Sequence, residues 1–544
     1  MAYLPVKSIR MKKLLALCTV CYCFLVTTAQ KPGAVIDVQH YHYAITLSDD
    51  NNTIQGKATI SLSFLHPTGN VSFDLTEKRS SGKGMTVSSV TTSNNIPLTF
   101  THTNEQVNIQ LPATARQGDT QTIVISYSGI PADGLIIASN KYHHRGFFAD
   151  NWPNRAHHWI PCIDHPADKA TVDFTVTAPA HYQVVANGRK TDEATLDNNL
   201  KQTSYTEAIA LPTKIMVIGV ADFAVQQSGT VQNIPVYSWV YPEDKDKGFY
   251  DYAQAVDILP YFIEHIGPYA YEKLANVQST TIFGGMENAG AIFYHENSVT
   301  GTRKNEALLT HEIAHQWFGD MATETDWRHL WLSEGFATYM TILYFEDKYG
   351  QDTARQMLSN NRNQVIAFSK NNHGPVVDST VTDYMELLNA NSYQKGGWAL
   401  HMLRMQTGDS VFRKAIRTYY ARYAGKNAST EDLRKVFEET SGQDLQLFFR
   451  QWLYTPAQPS IAATWKYDAT KKAIHITLSQ KQDRIFTFPI EIAVTTASNK
   501  TTIHTFTVKD QQQAFTIPAG NTPAKVSLDP NVKLLFEGTI TEAL

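Results

Sequence analysis

The segment LLTHEIAHQWFG, residues 308–319, places two histidines and a glutamate in an otherwise apolar run. On an α-helix, His311 and His315 lie about 40° apart in azimuth and about 6 Å apart along the axis, so both imidazoles can reach one point. Glu312 is turned about 100° from His311, where a carboxylate acts on a metal-bound water rather than ligating the metal. The pattern therefore predicts a catalytic zinc site with Glu312 as general base.

A third ligand is needed, because catalytic zinc sites commonly use three protein ligands and leave one position for water. Glu334, in LWLSEGFATYM, follows His315 with 18 residues between them and stands in an apolar helical run, where an unpaired carboxylate is costly. The alternative is that the histidine spacing arises by chance on an amphipathic helix and that Glu334 is exposed. The setting of Glu334 favours one Zn²⁺ ion bound by His311, His315 and Glu334.

The elements that must position these residues change along the chain. Apolar and polar residues alternate over about 41–223, which predicts an antiparallel β domain. Helical periodicity dominates over about 250–454, as in EALLTHEIAHQWFG and GGWALHMLRMQ. Alternation then returns and predicts a small β-sandwich. The sequence thus predicts an α+β multidomain chain with domains at residues 30–228, 229–454 and 455–544.

Residues 1–29 have the features of a cleaved export signal. Lys12 and Lys13 precede an apolar run from Leu14 to Val26, and small residues follow. The run is shorter than the roughly 20 residues that a spanning helix needs, so we expect a periplasmic or extracellular protein with no stable membrane span. Cleavage would change the formal net charge from −4 to −8, which argues against nucleic-acid partners.

The sequence resembles the aminopeptidase N family of zinc metallopeptidases, the gluzincin branch that includes leukotriene A4 hydrolase. Members join H-E-x-x-H-x18-E to an upstream G-x-M-E-N motif, which FGGMENAG matches here. PCIDHPADKATVDFTV, LWLSEGFATY and YQKGGWALHMLR also resemble family landmarks in the family's order. The resemblance implies a saddle-like N-terminal β domain, a thermolysin-like catalytic domain and a C-terminal β-sandwich, without the large C-terminal helical domain of longer members.

The resemblance also implies roles for single residues. His311, His315 and Glu334 match the zinc ligands and Glu312 matches the general base. Tyr393, in NSYQKGG, matches the tyrosine whose hydroxyl stabilises the oxyanion.

The G-x-M-E-N match implies the substrate-binding residues. Glu287 matches the glutamate that receives the free α-ammonium group, which limits cleavage to the first peptide bond. Glycines let the substrate backbone approach closely. The substrate-binding residues implied by this motif are Gly284, Gly285, Met286, Glu287 and Asn288.

One departure from the family concerns the amine pocket. Members usually supply a second amine-binding glutamate or glutamine upstream of PCxD, but GFFADNWPNRAHHWIPCID contains neither. Asp150 and Asn151 are the candidates to replace it, and the sequence does not choose between them.

The sequence therefore predicts a zinc aminopeptidase that acts on peptides with a free N-terminus, by attack of a zinc-activated water with Glu312 as base. Three alternatives stay open: a thermolysin-like endopeptidase, an epoxide hydrolase and a non-catalytic peptide-binding module. The preferred N-terminal residue and the oligomeric state are not encoded in any recognisable motif.

Overall fold

The computed structural model describes residues 34–543, so the predicted export signal lies outside the described residues. The N-terminal region consists of β-strands in which alternate side chains are buried, as the sequence periodicity predicts. Its strands are β1 (Ile36–Thr46), β2 (Ile54–Phe64), β3 (Thr68–Asp74), β4 (Gly84–Thr92), β5 (Phe100–Thr103), β6 (Gln106–Ala115), β7 (Thr120–Ile130), β8 (Leu135–Ser139), β9 (Arg145–Ala149), β10 (Lys169–Pro179), β11 (Gln183–Ala186), β12 (Arg189–Leu196), β13 (Leu200–Pro212) and β14 (Ile218–Ala221).

Seven of these strands form one sheet in the order β12-β13-β10-β1-β2-β7-β4. Its pairs are antiparallel except β1 and β10, which run parallel with Tyr41 opposite Val172. The expectation of a purely antiparallel domain is therefore wrong at this pair. Alternation has the same period in both strand directions, and strands β2 to β9 supply the long connection that a parallel pair needs.

The central region holds the helices. They are α1 (Lys245–Tyr252), α2 (Ala255–His265), α3 (Glu306–His315), α4 (Trp331–Tyr349), α5 (Gln351–Ser369), α6 (Gly396–Thr407), α7 (Asp409–Tyr423), α8 (Thr430–Ser441) and α9 (Gln446–Leu453). No helix within residues 34–543 has the length and apolarity needed to cross a bilayer.

The central region also contains a five-stranded mixed sheet, in the order β15-β16-β17-β19-β18, that the periodicity does not predict. Strand β17 is buried at every position, so its sequence shows no alternation. The predicted domain boundary between residues 228 and 229 falls inside β15. The strands of this region are β15 (Ala224–Val231), β16 (Ile234–Val240), β17 (Leu274–Ser279), β18 (Gly285–Met286), β19 (Ala291–His295), β20 (Ala322–Glu324) and β21 (Lys426–Ala428).

The C-terminal region forms two sheets, which share an apolar core that includes Trp465 and Ile476 of one sheet and Ile492 and Val494 of the other. This arrangement is that of a β-sandwich. Its strands are β22 (Ser460–Asp468), β23 (Ala473–Gln480), β24 (Phe488–Thr495), β25 (Thr501–Val508), β26 (Gln512–Pro518), β27 (Lys525–Leu528) and β28 (Glu537–Glu542).

Buried charges join the N-terminal region to the central one. Lys214 donates to Glu324 Oε1 at 2.6 Å, and both side chains are almost fully buried. Lys169 Nζ donates to the carbonyl oxygens of Asp320 and Met321 at 3.1 and 2.8 Å. These bonds therefore attach the N-terminal region to the segment that connects α3 to α4.

We expect Lys214→Met to lower the free energy of unfolding by about 3 kcal/mol or more, because it leaves the carboxylate of Glu324 buried and without its cation. Chemical denaturation measures this effect. Arg116→Ala is the control, since the Arg116–Asp119 pair is exposed and should contribute less than about 1 kcal/mol. Equal effects of the two substitutions would contradict the expectation.

Candidate active site

Three candidate metal-ligand atoms converge where the end of α3 meets the first turn of α4. Nε2 of His311 lies 3.0 Å from Nε2 of His315, and Oε2 of Glu334 lies 3.3 Å from each nitrogen. Ligand atoms about 2.0–2.1 Å from a tetrahedral zinc ion lie about 3.3 Å from one another. The two imidazoles and the carboxylate thus fit three ligands of a Zn²⁺ ion in both chemistry and spacing.

The hydrogen bonds of His315 favour the tautomer that can bind a metal through Nε2. Its Nδ1 lies 3.1 Å from the carbonyl oxygen of Phe318 and 3.0 Å from Oγ of Ser333. Because a carbonyl oxygen only accepts, Nδ1 carries the hydrogen and leaves the lone pair of Nε2 for a metal. Burial alone would raise the pKa of Glu334, but His315 and His311 hold that pKa below its ordinary value, so the carboxylate stays ionised.

Glu312 lies on α3 between the two histidines and is buried. A Cβ atom at position 285 would lie 2.3 Å from its Oε1, so Gly285 leaves the space that the carboxylate occupies. Burial raises the pKa of Glu312 well above its ordinary value; His315 opposes this rise when it is protonated, and the carboxylates of Glu287 and Glu334 add to the rise. A carboxylate in this setting accepts a proton more readily than an exposed one.

Tyr393 reaches the site from a single π-helical turn, Asn391–Lys395, just before α6. Its ring stacks on the imidazole of His311, with centroids 5.9 Å apart. The turn is held on one side by Lys395, whose buried Nζ donates to the carbonyl oxygen of Ala457 at 2.7 Å. Glycines at 335 and 396 let α4 and α6 approach closely, because a Cβ at either position would lie within 3.0 Å of the other backbone.

We expect Tyr393→Phe to lower kcat by about 100-fold or more with a much smaller change in KM, because the hydroxyl is expected to donate to the charge that develops on the substrate oxygen in the transition state. Steady-state kinetics on an aminoacyl chromogenic amide measure this split. Tyr384→Phe is the control: its ring stacks on Trp327, and the residue does not line the pocket of the three ligand atoms. A kcat for Tyr393→Phe within a factor of two or so of the control would remove Tyr393 from the reaction.

Four of the five predicted substrate-binding residues line the pocket beside α3. Gly284, Gly285, Met286 and Glu287 line it together with the three ligand residues. Oε1 of Glu287 is buried and has no hydrogen-bond partner among residues 34–543. Asn288 is buried beside them and does not line the pocket, so its role in substrate binding stays a prediction.

Neither candidate for the second amine-binding group is available. Asp150 accepts from Arg155 at 2.9 Å and from Thr281 at 3.0 Å, and it is completely buried. Asn151 donates to two backbone carbonyl groups and accepts from the indole of Trp159 at 2.8 Å. Their donors and acceptors are used inside the fold, so the hypothesis that one of them holds the amine is wrong.

The side chain from this segment that lines the pocket is Trp152, which the sequence motifs do not predict. Its indole packs edge-on against Phe283 and Trp327, with ring centroids 6.0 and 5.7 Å away. The pocket has a volume of about 240 Å³. Its apolar lining consists of Trp152, Phe283, Met286, Leu308 and Leu388. The sequence signal that could have indicated this pocket residue is the large apolar side chain directly after Asn151.

Comparison with known proteins agrees with this geometry. The Peptidase M1 N-terminal domain matches residues 38–215, and the Peptidase family M1 domain matches residues 250–452. Aminopeptidase M1 of Arabidopsis thaliana is 28% identical over 328 residues, which cover 58% of this chain and 37% of the relative. Probable aminopeptidase 1 of Sulfurisphaera tokodaii is 25% identical over 416 residues, which cover 74% of this chain and 50% of the relative. The chain thus spans about a third to a half of the length of these relatives.

A solved structure shares the fold. The M1 zinc metallopeptidase of Deinococcus radiodurans superposes with a TM-score of 0.66 at 24% identity, covering 79% of this chain and 98% of that chain. The two matched domains span most of the chain and contain the zinc-site residues and Glu287. The chain therefore belongs to peptidase family M1, the aminopeptidase N family of zinc metallopeptidases that its motifs resemble.

Proposed function

We propose that the protein is a zinc-dependent aminopeptidase that hydrolyses the N-terminal peptide bond of oligopeptides and uses one Zn²⁺ ion. The observation that carries this proposal is the carboxylate of Glu287. It shares a pocket with the three ligand atoms, and one of its buried oxygens has no hydrogen-bond partner among the described residues. An unpaired buried carboxylate oxygen is costly, and the α-ammonium group of a peptide supplies both the donor and the opposite charge.

The roles of the residues follow from this arrangement. Zinc held by His311, His315 and Glu334 would lower the pKa of a bound water towards about 7 and polarise the peptide carbonyl group. Glu312 accepts the proton of the attacking water and passes it to the departing amine. Tyr393 donates its hydroxyl hydrogen to the oxyanion.

The position of Glu287 sets which bond is cut. A carboxylate that holds the α-ammonium group close to the metal leaves room for roughly one residue, about 3.5 Å of chain, before the scissile carbonyl. A substrate with more than one residue before the scissile bond would collide with the Glu287 carboxylate, because the cleft is not open at that end. An endopeptidase of the thermolysin type has no use for such a group.

The proposal is tested with aminoacyl chromogenic amides and their N-acetylated counterparts, each with and without a chelator. We expect cleavage of the free-amine form alone, lost on chelation and restored by Zn²⁺. Preference for the acetylated form would identify an endopeptidase. If the protein binds stoichiometric zinc and cleaves neither form, the non-catalytic peptide-binding module is favoured. If such a protein instead opens epoxides, the epoxide hydrolase is favoured.

A further inference from the structure

The segment that carries Glu287 is held by two buried amide side chains. We call residues 287–290 the Glu287 loop; it connects β18 to β19. The two side chains are Gln316, which directly follows the ligand His315, and Asn187, which belongs to the N-terminal region. Each is 1% exposed.

Gln316 forms hydrogen bonds with both ends of the Glu287 loop. Its Nε2 donates to the carbonyl oxygen of Glu287 at 2.6 Å and to Oδ2 of Asp320 at 2.9 Å. Its Oε1 accepts from the backbone N–H of Gly290 at 2.8 Å. Both N–H groups of the Gln316 amide therefore donate hydrogen bonds, one of them to the Glu287 end of the loop. The amide oxygen accepts from the Gly290 end.

Asn187 holds the middle of the loop from the opposite side. Its Nδ2 donates to the carbonyl oxygen of Ala289 at 2.9 Å and to that of Ile215 at 2.8 Å. Its Oδ1 accepts from the backbone N–H of Val217 at 2.6 Å. The N-terminal region thus contacts the Glu287 loop through one side chain whose polar atoms all have partners.

We propose that Gln316 and Asn187 are positioning residues that fix the separation between the α-ammonium site at Glu287 and the metal ligands, and so set the one-residue register of cleavage. This inference rests on the proposed function. Gln316 is covalently adjacent to His315, so its bond to the Glu287 carbonyl ties the amine site to the metal site with no mobile segment between them.

The geometry explains why two amides are used. A displacement of about 1 Å in a group that orients the substrate costs about 100-fold in rate. Oε1 of Glu287 has no hydrogen-bond partner among residues 34–543, so no bond to this oxygen holds the carboxylate in place. The backbone that carries it is fixed instead, from the metal helix on one side and from the neighbouring region on the other.

The test replaces each amide with a neutral side chain of similar size, Gln316→Met and Asn187→Leu. In either variant the side chain loses its hydrogen bonds to the loop and adds no charge beside Asp320 or the amine site. Gln451→Met is the matched control: Gln451 is a buried amide that donates to the Thr487 carbonyl at 2.7 Å and accepts from the Thr487 N–H at 3.0 Å, and it does not line the pocket of the metal ligands.

The probes are leucine hydroxamate and its des-amino analogue, which share the metal-binding group and the side chain and differ only in the α-amino group. Inhibition constants are measured for both, together with zinc content and thermal stability. We expect the wild type to prefer the amino form, and the Gln316 and Asn187 variants to lose about 10-fold or more of that preference with full zinc. The Gln451 variant should keep the preference even if its stability falls.

Two outcomes overturn the inference. If the Gln316→Met and Asn187→Leu variants fold, bind zinc and prefer the amino form as strongly as the wild type does, the two amides do not set the amine site. If only one of them folds, its result decides; if neither folds, Gln316→Asn, whose shorter amide no longer reaches the loop, decides in the same way. A wild type with equal affinity for both probes would overturn the proposed function, and the inference with it.

Discussion

Glu312→Gln should keep its zinc and lose about 1,000-fold or more of kcat, because glutamine copies the shape of the base and cannot accept the proton of the attacking water. The substitution is nearly isosteric, and the space that Gly285 leaves beside the carboxylate accommodates an amide equally well. KM should change little, since Glu312 is not assigned a contact with the bound peptide.

Metal analysis and steady-state kinetics on an aminoacyl amide check this result. Glu306→Gln is the matched control: it is the same substitution on the same helix, at a residue that contacts Lys348 and Tyr349. We expect its turnover to stay near that of the wild type. A Glu312→Gln enzyme with full turnover would refute the assignment of the base.

Glu334→Ala should abolish stoichiometric zinc binding and activity together. The residue supplies one of three ligand atoms, and the loss should exceed the 10- to 100-fold drop in affinity that is typical of substitutions outside the ligand set. The carboxylate is buried, and its Oε2 lies 3.3 Å from Nε2 of both His311 and His315.

The same substitution makes a prediction about stability. A ligand at 1,000 times its dissociation constant stabilises the native state by about 4 kcal/mol. Chelation should therefore lower the melting temperature of the wild type and leave that of Glu334→Ala almost unchanged. Asp347→Ala, on the exposed end of the same helix, serves as the control and should respond to chelation as the wild type does. Equal zinc content in Glu334→Ala and the wild type would contradict the ligand assignment.

The convergence of His311, His315 and Glu334 could be predicted from sequence because most of its geometry is local. Two histidines four residues apart on a helix must lie on one side, and α3 shows them 3.0 Å apart at Nε2. The third ligand could be predicted because a carboxylate in the apolar run of α4 requires a partner. The three-region plan followed from the change between two periodicities, which β1, α8 and β23 display clearly.

The features that sequence did not predict depend on tertiary contacts. Strand β17 is buried throughout and carries no alternating pattern. The residue that enters the pocket is Trp152 rather than Asp150 or Asn151, because that choice is made by the bonds that Arg155 and Trp159 form inside the fold. The hydrogen bond from Asn187 to the Glu287 loop joins residues about a hundred positions apart. A local sequence pattern therefore does not predict it.

The most direct test of the central claim is to follow a ten-residue peptide by mass spectrometry, with its N-terminus free or acetylated, in the presence of the zinc-loaded protein. We expect a ladder of products that shorten one residue at a time from the free N-terminus, and an acetylated peptide that stays intact. Internal fragments, or shortening of the acetylated peptide at an equal rate, would contradict the central claim.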